Sequence, residues 1–101
     1  MLSAMELEFI GEIFYWRGPS PFHFVTVPEA ESAEIHAIAR EVTYGWGAIP
    51  VDGRIGDTAF TTSLFPRDGG YVVPIKDAVR RAEDVDDGDV VTVLLTVRPR
   101  R

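Results

Sequence analysis

Near the end of the chain stand eight residues, Val90-Val91-Thr92-Val93-Leu94-Leu95-Thr96-Val97, in which every position except the two leucines is β-branched. Such side chains are stiff about χ1 and pack well on a pleated surface, so this run predicts a strand. Alternation places Val91, Val93, Leu95 and Val97 on one face and Val90 and Leu94 on the other. Apolar on both faces, the strand is expected in a central position. The rest of the fold must therefore supply cover on both sides of it.

The remaining sequence offers five more strands. Glu6 to Arg17 sets Leu7, Phe9 and Gly11 against Glu6, Glu8 and Glu12, then runs apolar through Ile13-Phe14-Tyr15-Trp16. This predicts one long strand, half exposed at its start and buried on both sides later. Gly18-Pro19-Ser20-Pro21 is a turn, and Phe22 to Val27 returns as a hairpin partner with Phe22 and Phe24 on one face. Ala48 to Val51 leads into Asp52-Gly53, read as a turn, and Gly56-Asp57 marks another break. Thr58 to Phe65 alternates strictly, Pro66 to Gly70 turns, and Tyr71-Val72-Val73 is a short strand.

Two segments carry the helical period instead. In Glu29 to Val42 the residues Ile35, Ile38, Ala39 and Val42 form one apolar stripe, with the start set by Ser32 or by Pro28-Glu29 and Gly45 suited to a left-handed stop. Ile75 to Ala82 forms a shorter helix after Pro74, with Ile75, Ala78, Val79 and Ala82 inward. The order is then β-β-α-β-β-β-α-β. Six short strands in 101 residues predict a mainly β, α+β fold: a small closed or nearly closed six-stranded β-barrel with two short helices. Closure also removes exposed strand edges. One domain is expected over 6–98, between tails at 1–5 and 99–101.

Composition narrows the class. The absence of cysteine, of an apolar run long enough to span a membrane, and of a basic leader before Glu6 and Glu8 leads to an expectation of a cytoplasmic protein. The net charge of −6 disfavours a nucleic-acid partner, because phosphate binding relies on basic surplus. Most cations fall in the second half: residues 1–50 hold Arg17 and Arg40 against seven acids, whereas 51–101 hold eight bases against nine acids.

Several short segments in order resemble a known family. They are Gly53-Arg54-Ile55-Gly56-Asp57-Thr58, Phe60-Thr61-Thr62-Ser63-Leu64-Phe65-Pro66, Gly69-Gly70-Tyr71, Pro74-Ile75-Lys76, Val79-Arg80 and Gly88-Asp89-Val90-Val91. Trp16 before a Gly-Pro turn, Phe24-Val25 and Val27-Pro28 extend the likeness, which covers roughly residues 5–98. The chain resembles the bacterial domain-of-unknown-function family DUF1905. The resemblance implies a small β-barrel and no established activity. Fusion of members to a domain resembling bacteriocin-protection proteins implies an accessory role. Asp57 departs from the pattern, which has a glycine there, so the loop shape is in question.

Residues with chemistry are few. His23 and His36 have no second ligand at helical or strand spacing, and Asp84 to Asp89 fails the calcium-loop pattern because Gly88 falls where a carboxylate belongs. No metal and no cofactor is expected. Lys76 and Arg80 are four apart on one helix face, where like charges repel unless a carboxylate or a visiting anion offsets them. Asp84 is a candidate partner for Arg80, and Asp77 with Arg81 forms an i, i+4 pair. The candidate ligand-binding set is Lys76 and Arg80, with hydroxyls from Thr62 or Ser63 and an aromatic rim from Trp46; Trp16 and Tyr44 are further rim candidates. No catalytic residue is assigned.

Three readings follow. The leading one is a binding or interaction module, monomeric or homodimeric, that serves a partner protein or holds a small anionic or polar ligand. An enzyme with a Lys/Arg/hydroxyl-lined barrel pocket is the alternative. A DNA-binding barrel dimer of transition-state-regulator type is the third, against which the acidic balance argues.

Overall fold

A computed structural model describes residues 5–18, 22–39 and 47–97. Its strands are β1 (Met5–Trp16), β2 (Phe22–Thr26), β3 (Ile49–Ile55), β4 (Thr58–Arg67), β5 (Gly70–Pro74) and β6 (Val90–Val97). The helices are α1 (Glu29–Ala37), between β2 and β3, and α2 (Asp77–Glu83), between β5 and β6. The strands close into an antiparallel barrel in the order β1-β2-β5-β4-β3-β6, with α+β content as the sequence predicts.

Two long strands make the closure possible. β1 pairs through Met5–Glu12 with β6 and through Ile13–Trp16 with β2. β4 pairs with β3 through Thr58–Leu64 and with β5 through its last three residues. Each therefore belongs to both halves of the barrel and turns the corner between them. At the β1 corner the Asp86–Asp89 loop closes on Ile13, whose N–H donates to the Asp89 carbonyl (2.9 Å) and whose carbonyl accepts from Gly88 N–H (2.7 Å).

Inward positions fill the interior. Ile13, Val25, Ile49, Leu64, Val73, Val93 and Val97 have no accessible surface, and Leu7, Phe9, Val51, Ile55, Val91 and Leu95 join them. Six strands enclose only enough space for side chains, so the lumen is core rather than a ligand chamber. The helices seal opposite ends of β5. Ile35 of α1 and Ile75 and Val79, before and in α2, are buried in the same core. The Glu83 carboxylate reaches the β3–β4 turn and accepts from Thr58 Oγ1. Among the described residues no helix is long and apolar enough to cross a membrane.

Five local expectations are corrected. Asp52-Gly53 is no turn but the middle of β3, in register with Thr61 and Phe60. Gly53 is there for close approach: a Cβ would fall 2.5 Å from the Phe60 ring, which occupies the space inside the wall. The second half of β1 is not buried on both sides; Tyr15, on the face of Ile13 near the end of the strand, and Trp16, on the outer face, are both exposed. The β6 face carrying Val90 and Leu94 is also solvent-facing, although both neighbours of β6 are in place. α1 stops at Ala37, with Ile38 as its C-cap and Ser32 and Ile35 as its buried residues; Val42 and Gly45 lie outside the described residues. In α2 only Val79 is buried, while Ala78 and Ala82 face out.

The Gly56-Asp57 break is a two-residue hairpin turn between Ile55 and Thr58. Its positive φ, 58°, falls on Gly56 alone, so Asp57 is accommodated where the family pattern has glycine.

Candidate functional site

With the lumen filled, a site must lie on the outside. The four residues Phe14, Trp16, Phe22 and Phe24 face outward from the β1–β2 hairpin, because their neighbours Ile13 and Val25 face in. Phe24 touches Phe14 (ring centroids 6.0 Å) and Phe22 (5.6 Å). The tight β4–β5 turn, with Asp68 and Gly69 both at positive φ as a type I′ turn requires, brings Arg67 to this surface. Its guanidinium lies 4.3 Å from the Trp16 ring centroid and 5.3 Å from that of Phe14. These are cation–π distances, and they hold a planar fork flat against two aromatic faces.

Beside this stack runs an open groove of about 1060 Å³ between α1 and the outer wall of β2 and β5. Phe14, Thr26 and Val72 form its floor, Ser32, Ala33 and His36 its helical side, and Arg67 to Gly70 its far lip. α1 is held close here because Pro28 opens it directly after β2 and Ser32 Oγ donates to the Val27 carbonyl (3.2 Å). Glu29 and Asp68 place carboxylates at the rim. Arg67 itself has only a distant acid, Asp68, with Nε 3.7 Å from Oδ2 of a side chain that is nearly all exposed. Among the described residues its two Nη groups have no protein acceptor, so the fork keeps hydrogen-bonding capacity toward the groove.

The set read from the sequence is arranged differently. Arg80 is closed in: Nη1 donates to the Ile75 carbonyl (2.8 Å), Nη2 to Asp77 Oδ1 (2.8 Å), and Nε lies 3.3 Å from Asp86 Oδ1. Its carboxylate partners are thus Asp77 and Asp86 rather than Asp84, which adopts the left-handed C-cap of α2. The expected Asp77–Arg81 pair is present at 3.0 Å. Lys76 Nζ is turned away from Arg80 and donates to the Thr61 carbonyl (3.0 Å). Thr62 and Ser63 are successive residues of β4 and face opposite sides of the wall, pairing with Val51 and Pro50. Lys76, Arg80, Thr62 and Ser63 therefore do not converge on one point. Trp46 and Tyr44 lie outside the described residues.

His23 and Asp86 form a small polar cluster with Arg80. His23 Nε2 is 3.3 Å from Asp86 Oδ1, and the His23 ring sits 4.8 Å from Tyr15. His36 is exposed on the groove side of α1. Within the Asp86–Asp89 turn, Asp86 N–H donates to Asp89 Oδ2 and Asp87 N–H to Asp86 Oδ1, both at 2.8 Å, so Asp86 Oδ1 serves the turn as well as Arg80 and His23. Among the described residues no three His, Cys, Asp or Glu side chains gather as a metal site. Burial raises the pKa of Tyr71, whose side chain belongs to the core at the α1 end of β5.

Arg67 is the residue that sequence reasoning passed over. It sits in a Pro-Arg-Asp-Gly-Gly turn with no charged neighbour at helical or strand spacing. The signal available was indirect: a lone arginine at the foot of an Asp-Gly hairpin, in a chain with an exposed aromatic hairpin elsewhere.

The family model described as a domain of unknown function, DUF1905, matches residues 9–95. No curated protein matches the chain closely enough to count as a relative.

Proposed function

The chain belongs to the DUF1905 family, and from that premise we propose that it is a binding module whose outer groove receives a small ligand with one carboxylate and an apolar body. The observation that carries this reading is the Arg67 guanidinium, stacked on Trp16 and Phe14 beside the groove, with no acceptor for its Nη groups among the described residues. A guanidinium fixed in this way is preorganised for two parallel hydrogen bonds to a carboxylate, and little side-chain freedom is lost on binding. Phe14 and Val72 supply apolar wall for the rest of the ligand. The rim acids Glu29 and Asp68 select against a polyanion by like-charge repulsion. Ser32 of the groove gives its hydroxyl proton to the Val27 carbonyl and not to His36, which supports binding over catalysis.

The test is an NMR titration of ¹⁵N-labelled protein with phenylacetate, and with inorganic phosphate as the polyanionic control. Phenylacetate is expected to shift the amides of Ser32, Gly69 and Gly70 saturably, and phosphate to shift them less. Arg67→Ala should abolish the response, and Arg67→Lys should weaken it because the charge remains but the fork is lost. Saturable shifts that persist in Arg67→Ala, or none in the groove, would overturn the proposal.

A further inference from the structure

The other half of the barrel presents a surface that the groove does not use. Glu6, Glu8, Ile10 and Glu12 point outward from β1, alternating with the buried Leu7 and Phe9. β6 lies alongside in register, so Glu8 is opposite Leu94 and Glu12 opposite Val90. The wall thus carries two parallel rows: the β1 row is acidic and interrupted by Ile10, and the β6 row alternates Val90 and Leu94 with Thr92 and Thr96, Thr92 standing opposite Ile10. Ile10 and Val90 are each 65% exposed and Leu94 is 42% exposed, and Val90 and Leu94 stand diagonally on either side of Ile10, within reach of one apolar stripe. Among the described residues none of the three glutamates has a basic partner. Same-face neighbours on a strand are about 7 Å apart, so the row repels itself.

We infer that this wall docks an amphipathic helix of a partner protein, apolar along one stripe and edged with lysine or arginine. The row from Glu6 to Glu12 spans about 20 Å, the length of a helix of about 13 residues. Charge decides between occupants. A second copy would bring glutamates against glutamates, and nucleic acid would meet the same repulsion. A cationic helix edge relieves the row, while its apolar stripe covers Ile10, Val90 and Leu94. A shallow pocket of about 280 Å³ opens beside Glu6 and Leu94, bordered by Arg54, whose guanidinium is turned to the Asp57 carbonyl. It has room for the stem of one long basic side chain, with its head at Glu6.

The experiment uses a fluorescein-labelled 14-residue helix of leucine and lysine in amphipathic order, with a scrambled peptide of equal charge as control. Anisotropy and amide shifts are read on the whole protein. Binding is expected to weaken with salt, to favour the amphipathic order, and to map on Glu6–Glu12 and Val90–Thr96. Glu8→Lys/Glu12→Lys should weaken it by about tenfold or more, and Ile10→Ser severalfold, as for charge reversal and apolar loss in an interface. Glu34→Lys, on the exposed side of α1, should leave it unchanged. No binding, equal binding of the scrambled peptide, an equal effect of Glu34→Lys, or shifts elsewhere would overturn the inference. So would a dimer in sedimentation that Ile10→Ser dissociates, since the wall's occupant would then be a second copy.

Discussion

Arg80 and Arg67 are both held against the barrel, and they are held by opposite means. Arg80, with 13% of its side chain exposed, is ringed by the Ile75 carbonyl, Asp77 and Asp86. Its charge is balanced and its donors are committed, so it belongs to the structure of the α2 end. Arg67 is fixed by the faces of Trp16 and Phe14, which restrain a guanidinium without using its N–H groups. A cation satisfied by acceptors contributes stability, whereas one immobilised by rings keeps its hydrogen bonds for a ligand.

The comparison is most severely tested at the plug beneath Arg80. Ile75 is fully buried, and Ile75→Ala should lower stability by about 2–5 kcal/mol in urea unfolding. Phenylacetate binding by the remaining folded protein should persist, because the groove lies at the other end of β5. Loss of both together would show that the two ends are not separable. Next in size is Arg80→Met, which strands the Ile75 carbonyl and takes the guanidinium from Asp77 and Asp86; it should cost about 1–3 kcal/mol, with the ligand response intact. An unchanged urea midpoint would remove the distinction between the two arginines.

Smaller again is an effect of pH at the α1 end. Burial disfavours the phenolate of Tyr71, so its pKa in the folded protein lies above the ordinary 10.0. The unfolded chain then loses this proton first, and stability should fall as pH rises past 10.0 toward the folded value. Tyr71→Phe should flatten that alkaline decline in urea midpoints. A slope equal to that of the unaltered protein would place its origin in other groups. Smallest in stability is Arg67→Ala, expected to cost no more than about 1 kcal/mol, the size of an exposed cation–π contact, while ligand binding disappears. A loss comparable with that of Arg80→Met would make Arg67 structural and break the comparison from its other side.

What the sequence by itself determined is the set of strands and the barrel class they make. The β-branched run at Val90–Val97, the alternation in Glu6–Phe9 and Thr58–Phe65 and the turn signal in Pro66–Gly70, of which Asp68 and Gly69 form the turn, are local patterns, and local sterics govern them. The sequence also contained the resemblance to its family and the Asp77–Arg81 pair, whose spacing is read along one helix. What only the tertiary structure decided is which apolar faces receive cover and which charges meet. Asp52-Gly53 carries a turn signal, yet the Phe60 ring opposite makes Gly53 a strand residue. Trp16, Val90 and Leu94 read as core and stand outside, because a barrel has one inside and hydrophobicity does not say which face turns toward it. Arg80 meets Asp86 across a loop, and Arg67 meets Trp16 across 51 positions of chain. Such pairings depend on barrel closure and strand register, quantities summed over many weak contacts, and no local pattern in the chain encodes them.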